Sequence, residues 1–164
     1  MFFKNRTFFI FLFLVIVLCF FNSFLLFAQE RSFQITEYQA QAEILDNGDV
    51  QVREIFTYQF HGAFNGIIRS IGTSGSDGLA YFRASEYSPQ KRSLETSQSR
   101  EDEMMTFRIY DQSSNESKSF LLEYQLKNVI TKYSDTAEFY WKFFDQTNTS
   151  PISQVSIEVS FPNR

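Results

Sequence analysis

Apolar and polar residues alternate with period two along most of the chain beyond residue 30, the pattern of strands with one buried face. Across residues 50–60, Val50, Val52, Glu54, Phe56, Tyr58 and Phe60 form one face, against Gln51, Arg53, Thr57 and Gln59. Phe120, Leu122, Tyr124 and Leu126 make a second inward row, and Ala137, Phe139, Trp141 and Phe143 a third. Val155, Ile157, Val159 and Phe161 make a fourth, Met105, Phe107 and Ile109 a shorter fifth, and residues 79–87 a sixth strand. Residues 33–45 begin with Phe33 and Ile35 inward, then switch to Tyr38, Ala40, Ala42 and Ile44. A bulge near Thr36 absorbs that slip; a short helix over residues 38–45 is the alternative.

The turn Asp46-Asn47-Gly48-Asp49 lies between two strand patterns. Asn-Gly there predicts a hairpin with both residues central and at positive φ. Residues 72–78 read as a flexible connector and residues 88–103 as a long polar excursion. No helical stripe competes with these rows. The pattern predicts an all-β fold, an antiparallel β-sandwich over residues 29–164, preceded by an N-terminal hydrophobic helix.

The first 28 residues set the compartment. Lys4 and Arg6 precede an almost wholly apolar run over residues 7–21, which resumes from Phe24 to Ala28 after Asn22 and Ser23. A basic start, an apolar middle and a small residue before a polar turn describe a signal peptide cut after Ala28. A retained anchor is the rival: the run is long enough to cross a bilayer, which takes roughly 20 residues, and Leu26 is bulky for a cleavage site. Both readings export the chain and keep its N-terminus cytoplasmic. The product is then held at the extracytoplasmic face of the cell membrane, or secreted if the signal is cleaved.

Cys19, the only cysteine, lies inside this segment, so the rest of the chain holds no disulfide, cysteine zinc site or thiol nucleophile. Val17 and Leu18 do not suit a lipoprotein signal at Cys19. The chain has 15 basic and 19 acidic residues, and the leader takes two of the bases and none of the acids. That balance excludes nucleic acid as a partner, because binding it requires cations against phosphates.

Candidate chemistry is sparse. Asp46-Asn47-Gly48-Asp49 lacks the further oxygen ligands and flanking helices of a calcium loop. Gly72, Gly75 and Gly78 have neither the lysine nor the helix of a phosphate cradle. His61 is the sole histidine, with no partner set for zinc or base catalysis. No catalytic, cofactor-binding or metal-binding residue is assigned, and no cofactor is expected. If Phe139, Trp141 and Phe143 face the core, Tyr140 and Phe144 face outward and form a candidate binding surface.

Glu54 is the one charge on an otherwise apolar strand face. An unpaired buried carboxylate is costly, and Arg69, beyond the Gly62 and Gly66 turn, is the candidate partner in a structural ion pair between neighbouring strands. A bulge turning Glu54 to solvent and a catalytic role are the other readings.

Two blocks resemble one family. The run ILDNGDVQVRE at 44–54 with YQFHGAFNGIIR at 58–69 forms the first. The second is YQLKNV at 124–129, YSDTAEFYW at 133–141 and the stretch from Pro151 to Pro162. Together they are similar to the N-terminal domain of bacterial predicted membrane proteins, domain of unknown function 2207. The resemblance implies an extracytoplasmic β-domain behind a signal peptide, usually followed by transmembrane helices. It carries over no catalytic residue. The chain stops at Arg164, so membrane attachment falls to the N-terminal segment or to a missing C-terminal region.

Three functions follow from the residues. The first is a non-enzymatic module that binds a protein partner or supports membrane-protein assembly. The second is a carbohydrate-binding or adhesion module with a glycan on Tyr140 and Phe144. The third is a hydrolase using carboxylates such as Asp135 and Glu138.

Overall fold

The computed structural model describes residues 31–144 and 150–162, all within the unit Arg31–Arg164. The predicted leader helix and its cleavage site lie outside the described residues. The described part is all-β, and no helix there is long and apolar enough to cross a membrane.

Among the described residues ten strands follow in order: β1 (Ser32–Ile44), β2 (Val50–His61), β3 (Ala63–Gly72), β4 (Leu79–Glu86), β5 (Glu95–Glu101), β6 (Met104–Ser114), β7 (Ser117–Leu126), β8 (Thr131–Lys132), β9 (Ala137–Glu138) and β10 (Ile152–Ser160). They form a five-stranded sheet ordered β10-β1-β2-β7-β4, a three-stranded sheet ordered β3-β6-β5, and the small pair β8-β9. Pairing is antiparallel except between β1 and β10, which run parallel.

The inward rows of β2 and β7 are the centre of the core. Phe120, Leu122, Tyr124 and Leu126 are fully buried, with Val52 opposite Tyr124 and Phe56 opposite Phe120. The smaller sheet contributes Ile67, Ile71, Phe107 and Ile109 to the same cluster. Phe82 of β4 stacks on Phe107 of β6 with ring centroids 3.7 Å apart, so the two sheets meet through aromatic faces. The opposite face of the large sheet also buries an apolar pair, Ile55 against Leu121.

The β1 phase switch is a bulge: the β1–β2 register slips between Ile35 and Glu37, and the Thr36 hydroxyl donates to the Thr57 carbonyl at 3.2 Å. The hairpin that follows differs from the predicted two-residue turn. The Gly48 N–H bonds Leu45 O and the Leu45 N–H bonds Asp49 O, both at 2.9 Å, so Asp46 and Asn47 are the central residues. Gly48 alone has positive φ, +87°. A third loop residue in the left-handed region gives a strand twist that the two sheet partners accommodate.

Gly62, at φ +85°, carries the chain from the larger sheet into β3 of the smaller one, and its N–H bonds the Asn115 Oδ1 at 2.8 Å. Asn115 sits where β6 leads back into β7. These two crossings, from β2 to β3 and from β6 to β7, therefore lock each other at one end of the domain.

Three sequence expectations need correction. The polar excursion contains β5, whose seven residues are all exposed and pair with β6. Nothing apolar marks it, because neither face is covered. The row Ala137, Phe139, Trp141, Phe143 is no strand beyond Ala137–Glu138. Its rings are partly buried against the core from an irregular segment. In β10 the inward row exists but is not enclosed: Val155 and Ile157 stand beside the buried Tyr38 and Ala40, yet are 49% and 44% exposed, and Phe161 is 69% exposed. A strand at the sheet edge has a neighbour on one side only.

Candidate functional site

Period two in β2 places Glu54 on the same inward face as Val52 and Phe56, where it is fully buried. Ala40 of β1 lies opposite it on one side and Leu122 of β7 on the other, both buried. The neighbouring inward positions supply hydroxyls: Tyr38 donates to Glu54 Oε1 at 2.7 Å and Tyr124 to the same oxygen at 3.1 Å.

Arg69 reaches the carboxylate from the other sheet. It lies between Ile67 and Ile71 on the inward row of β3, while Ile68 points to solvent. Its Nε donates to Glu54 Oε2 at 2.9 Å and its Nη2 to Oε1 at 2.6 Å. This two-point geometry is the strong form of the arginine–carboxylate contact. β2 and β3 are not neighbours in a sheet, so the pair joins the two sheets across the core rather than adjacent strands. The guanidinium also lies 5.6 Å from the centre of the Phe56 ring.

The same guanidinium holds the aromatic segment. Nη2 donates to the Phe143 carbonyl at 2.8 Å and Nη1 to the Ser70 carbonyl at 2.7 Å. Phe144 then lies on Tyr38, with ring centroids 4.4 Å apart.

The charges perturb one another. Burial works to lower the Arg69 pKa, and the Glu54 carboxylate more than offsets it, leaving Arg69 above its usual range. Burial, and then the charge of Glu54, push the Tyr38 and Tyr124 hydroxyls well above theirs. Both carboxylate oxygens of Glu54 are occupied by donors, so its side chain is held in place from both sheets.

Beside Arg69 opens a cavity of about 550 Å³, walled by Tyr140, Trp141, Phe144, Lys142 and Glu138 across from Ser70. The two residues predicted to form an outward aromatic surface are both at this cavity, but not as a shared outer face. Tyr140 is 69% exposed, whereas Phe144 is partly buried under the cavity wall against Tyr38. Trp141, assigned to the core by its spacing, lines the cavity too. Its irregular backbone breaks the alternation on which that assignment rested.

The remaining candidates are dispersed. Asp135 and Glu138 are both exposed, and only Glu138 lines the cavity. His61 is exposed at the end of β2. Asp49 takes part in the hairpin corner, accepting from the Asn128 backbone N–H at 2.9 Å and from Gln125 at 2.8 Å. Those bonds, the Asn128 one first, hold its carboxyl below the usual value. No cluster of three or more potential metal ligands occurs among the described residues.

The family model described as "Predicted membrane protein (DUF2207) N-terminal domain" matches residues 34–164. The chain belongs to that family. The DUF2207 match takes in both sheets, the Glu54–Arg69 pair and the aromatic segment. No curated protein matches the chain.

Among solved structures, this DUF2207 domain is similar to a two-domain M1 zinc metallopeptidase variant bound to L-tryptophan, at 9% identity and TM-score 0.41, over 60% of this chain and 21% of that one. A Deinococcus radiodurans M1 zinc metallopeptidase variant bound to a Tyr-Ser-Ala substrate gives 8%, 0.41, 61% and 22%. Native leukotriene A4 hydrolase from Saccharomyces cerevisiae gives 9%, 0.40, 57% and 15%. The chain thus spans about a fifth of the length of these proteins or less. Likeness at this level carries no inference about activity.

Proposed function

We propose that this domain is a non-enzymatic binding module, a β-sandwich displayed on the extracytoplasmic face of the membrane, and that its binding site is the cavity beside Arg69. The observation carrying this reading is the way the cavity wall is built. Arg69 is fixed by a buried carboxylate and in turn fixes the segment bearing Tyr140, Trp141 and Phe144. A cavity of several hundred cubic ångströms with aromatic walls and a few polar groups is the usual form of a ligand site. The acids named for a hydrolase offer no matching arrangement: Glu54 is enclosed and paired, and Asp135 lies outside the cavity.

Trp141 is the only tryptophan in the chain, so its fluorescence reports on this cavity alone. Titrating the detergent-solubilised chain with protein and polysaccharide fractions of a cell-envelope extract should give a saturable emission change with at least one fraction. The change should weaken in Lys142→Ala. No saturable change with either fraction, or release of a cleaved product from one of them, contradicts the binding reading.

A further inference from the structure

Resting on the binding reading, we infer that the cavity takes a neutral saccharide, with a sugar ring laid against the Tyr140–Trp141 wall and its hydroxyls bonded to the polar groups around it.

Charge is the first argument. Arg69, Lys142 and Glu138 line the cavity, and Glu54 is bonded directly behind Arg69. Two cations against two carboxylates leave no net formal charge. A phosphorylated or strongly acidic ligand would find Arg69 already neutralised, and Glu138 opposing it.

The second argument is the guanidinium itself. Arginine has five N–H donors. Four of them meet Glu54 Oε1, Glu54 Oε2, the Phe143 carbonyl and the Ser70 carbonyl. The Tyr124 hydroxyl also lies against this guanidinium, and the side chain is 11% exposed where it lines the cavity. Because the guanidinium charge is spent on Glu54, the part of Arg69 that lines the cavity favours a neutral hydroxyl or ring oxygen over an anion.

Stacking is the third. Tyr140 presents most of its surface to solvent at the cavity mouth, and Trp141 lies beside it. An aromatic face with a polar tip matches a sugar ring, which is apolar on its C–H face and polar at its edge. Ser70, Ser74 and Thr131 add short hydroxyls around the wall. A cavity of about 550 Å³ is the size of site that holds a small ligand rather than a protein surface.

The test is Trp141 emission of the detergent-solubilised full chain titrated separately with chitotriose, maltotriose and mannotriose. Inorganic phosphate and a neutral tripeptide, Gly-Ala-Gly, serve as the contrasting probes. At least one trisaccharide should give a saturable change, weakened at least tenfold in Tyr140→Ala and unchanged in Tyr87→Ala, whose exposed ring lies outside the cavity. Tyr140 is exposed enough for its removal to leave the fold intact, which circular dichroism checks. Overturning results are no saturable change with any trisaccharide, equal affinity in Tyr140→Ala, or saturation by phosphate or the tripeptide alone. If the envelope protein fraction still binds while the trisaccharides do not, the saccharide assignment fails and the binding module stands.

Discussion

Arg69 and Glu54 lie in different sheets, and their side chains meet at 2.6 Å across the core. Burial of such a pair is weak evidence for net stability, because removing two charges from water costs about what their attraction returns. Its effect is on specificity of arrangement. One guanidinium determines how the sheets face each other and where the Phe143 backbone is held. The wall of the cavity is therefore a consequence of the ion pair.

The two tyrosines complete the anion's shell, and losing either should be costly. A hydrogen bond to a charged group contributes about 1.5–3 kcal/mol. Tyr38→Phe and Tyr124→Phe should each lower stability by that order in urea unfolding, while the ring contact of residue 38 with Phe144 is kept. Losses near zero would mean that Glu54 is satisfied without them.

Alkaline titration gives a separate check. The folded-state hydroxyls of Tyr38 and Tyr124 are raised above their unfolded value of 10.0. Their contribution is thus complete below pH 10 and is lost as pH rises towards the folded values, since the unfolded chain ionises first. The melting temperature of the purified chain should fall progressively above about pH 10, and less steeply in the Tyr38→Phe, Tyr124→Phe double variant. A wild-type profile no steeper than that of the double variant would contradict the buried placement.

Edge and centre should also differ. Leu122 of β7 is fully buried, so Leu122→Ala should cost about 2–5 kcal/mol. Val155 of β10 has the same strand spacing but is half exposed, and Val155→Ala should cost less than about 1 kcal/mol. Comparable losses in chemical denaturation would show that something encloses the β10 row.

Gly66 marks the tightest backbone approach. It has φ +144° at the β3 bulge, and an added Cβ would overlap the Ile109 carbonyl oxygen. Gly66→Ala should destabilise by at least about 2 kcal/mol. Gly75, at φ +77°, has open space around it, so Gly75→Ala should cost only about 1 kcal/mol of backbone strain. Equal effects on thermal unfolding would contradict the bulge geometry.

The sequence was informative where burial enforces a rhythm. β2 and β7 were legible because every second residue packs on both neighbours, and Glu54 stood out as the charge that breaks the row. β5 was illegible, since backbone pairing with β6 forms it while all its side chains remain in water. Residues 139–143 misled for the opposite reason: their apolar rhythm is real, but they cover the core from an irregular segment. Arg69 was identifiable as a partner by charge alone. That it would come from the other sheet depended on the Gly62 crossing, and its bond to the Phe143 carbonyl involves a backbone group that no side-chain pattern encodes.

The most direct test of the account is a double-mutant cycle with Glu54→Gln and Arg69→Met, read by urea unfolding of the purified chain and by Trp141 emission. Each single change leaves a buried partner uncompensated and should cost about 3–5 kcal/mol. The double variant should lose much less than the sum, and all three should shift Trp141 emission as the cavity wall is released. Strictly additive losses below about 0.5 kcal/mol each, with unaltered emission, would contradict the claim that this pair organises the core and the site.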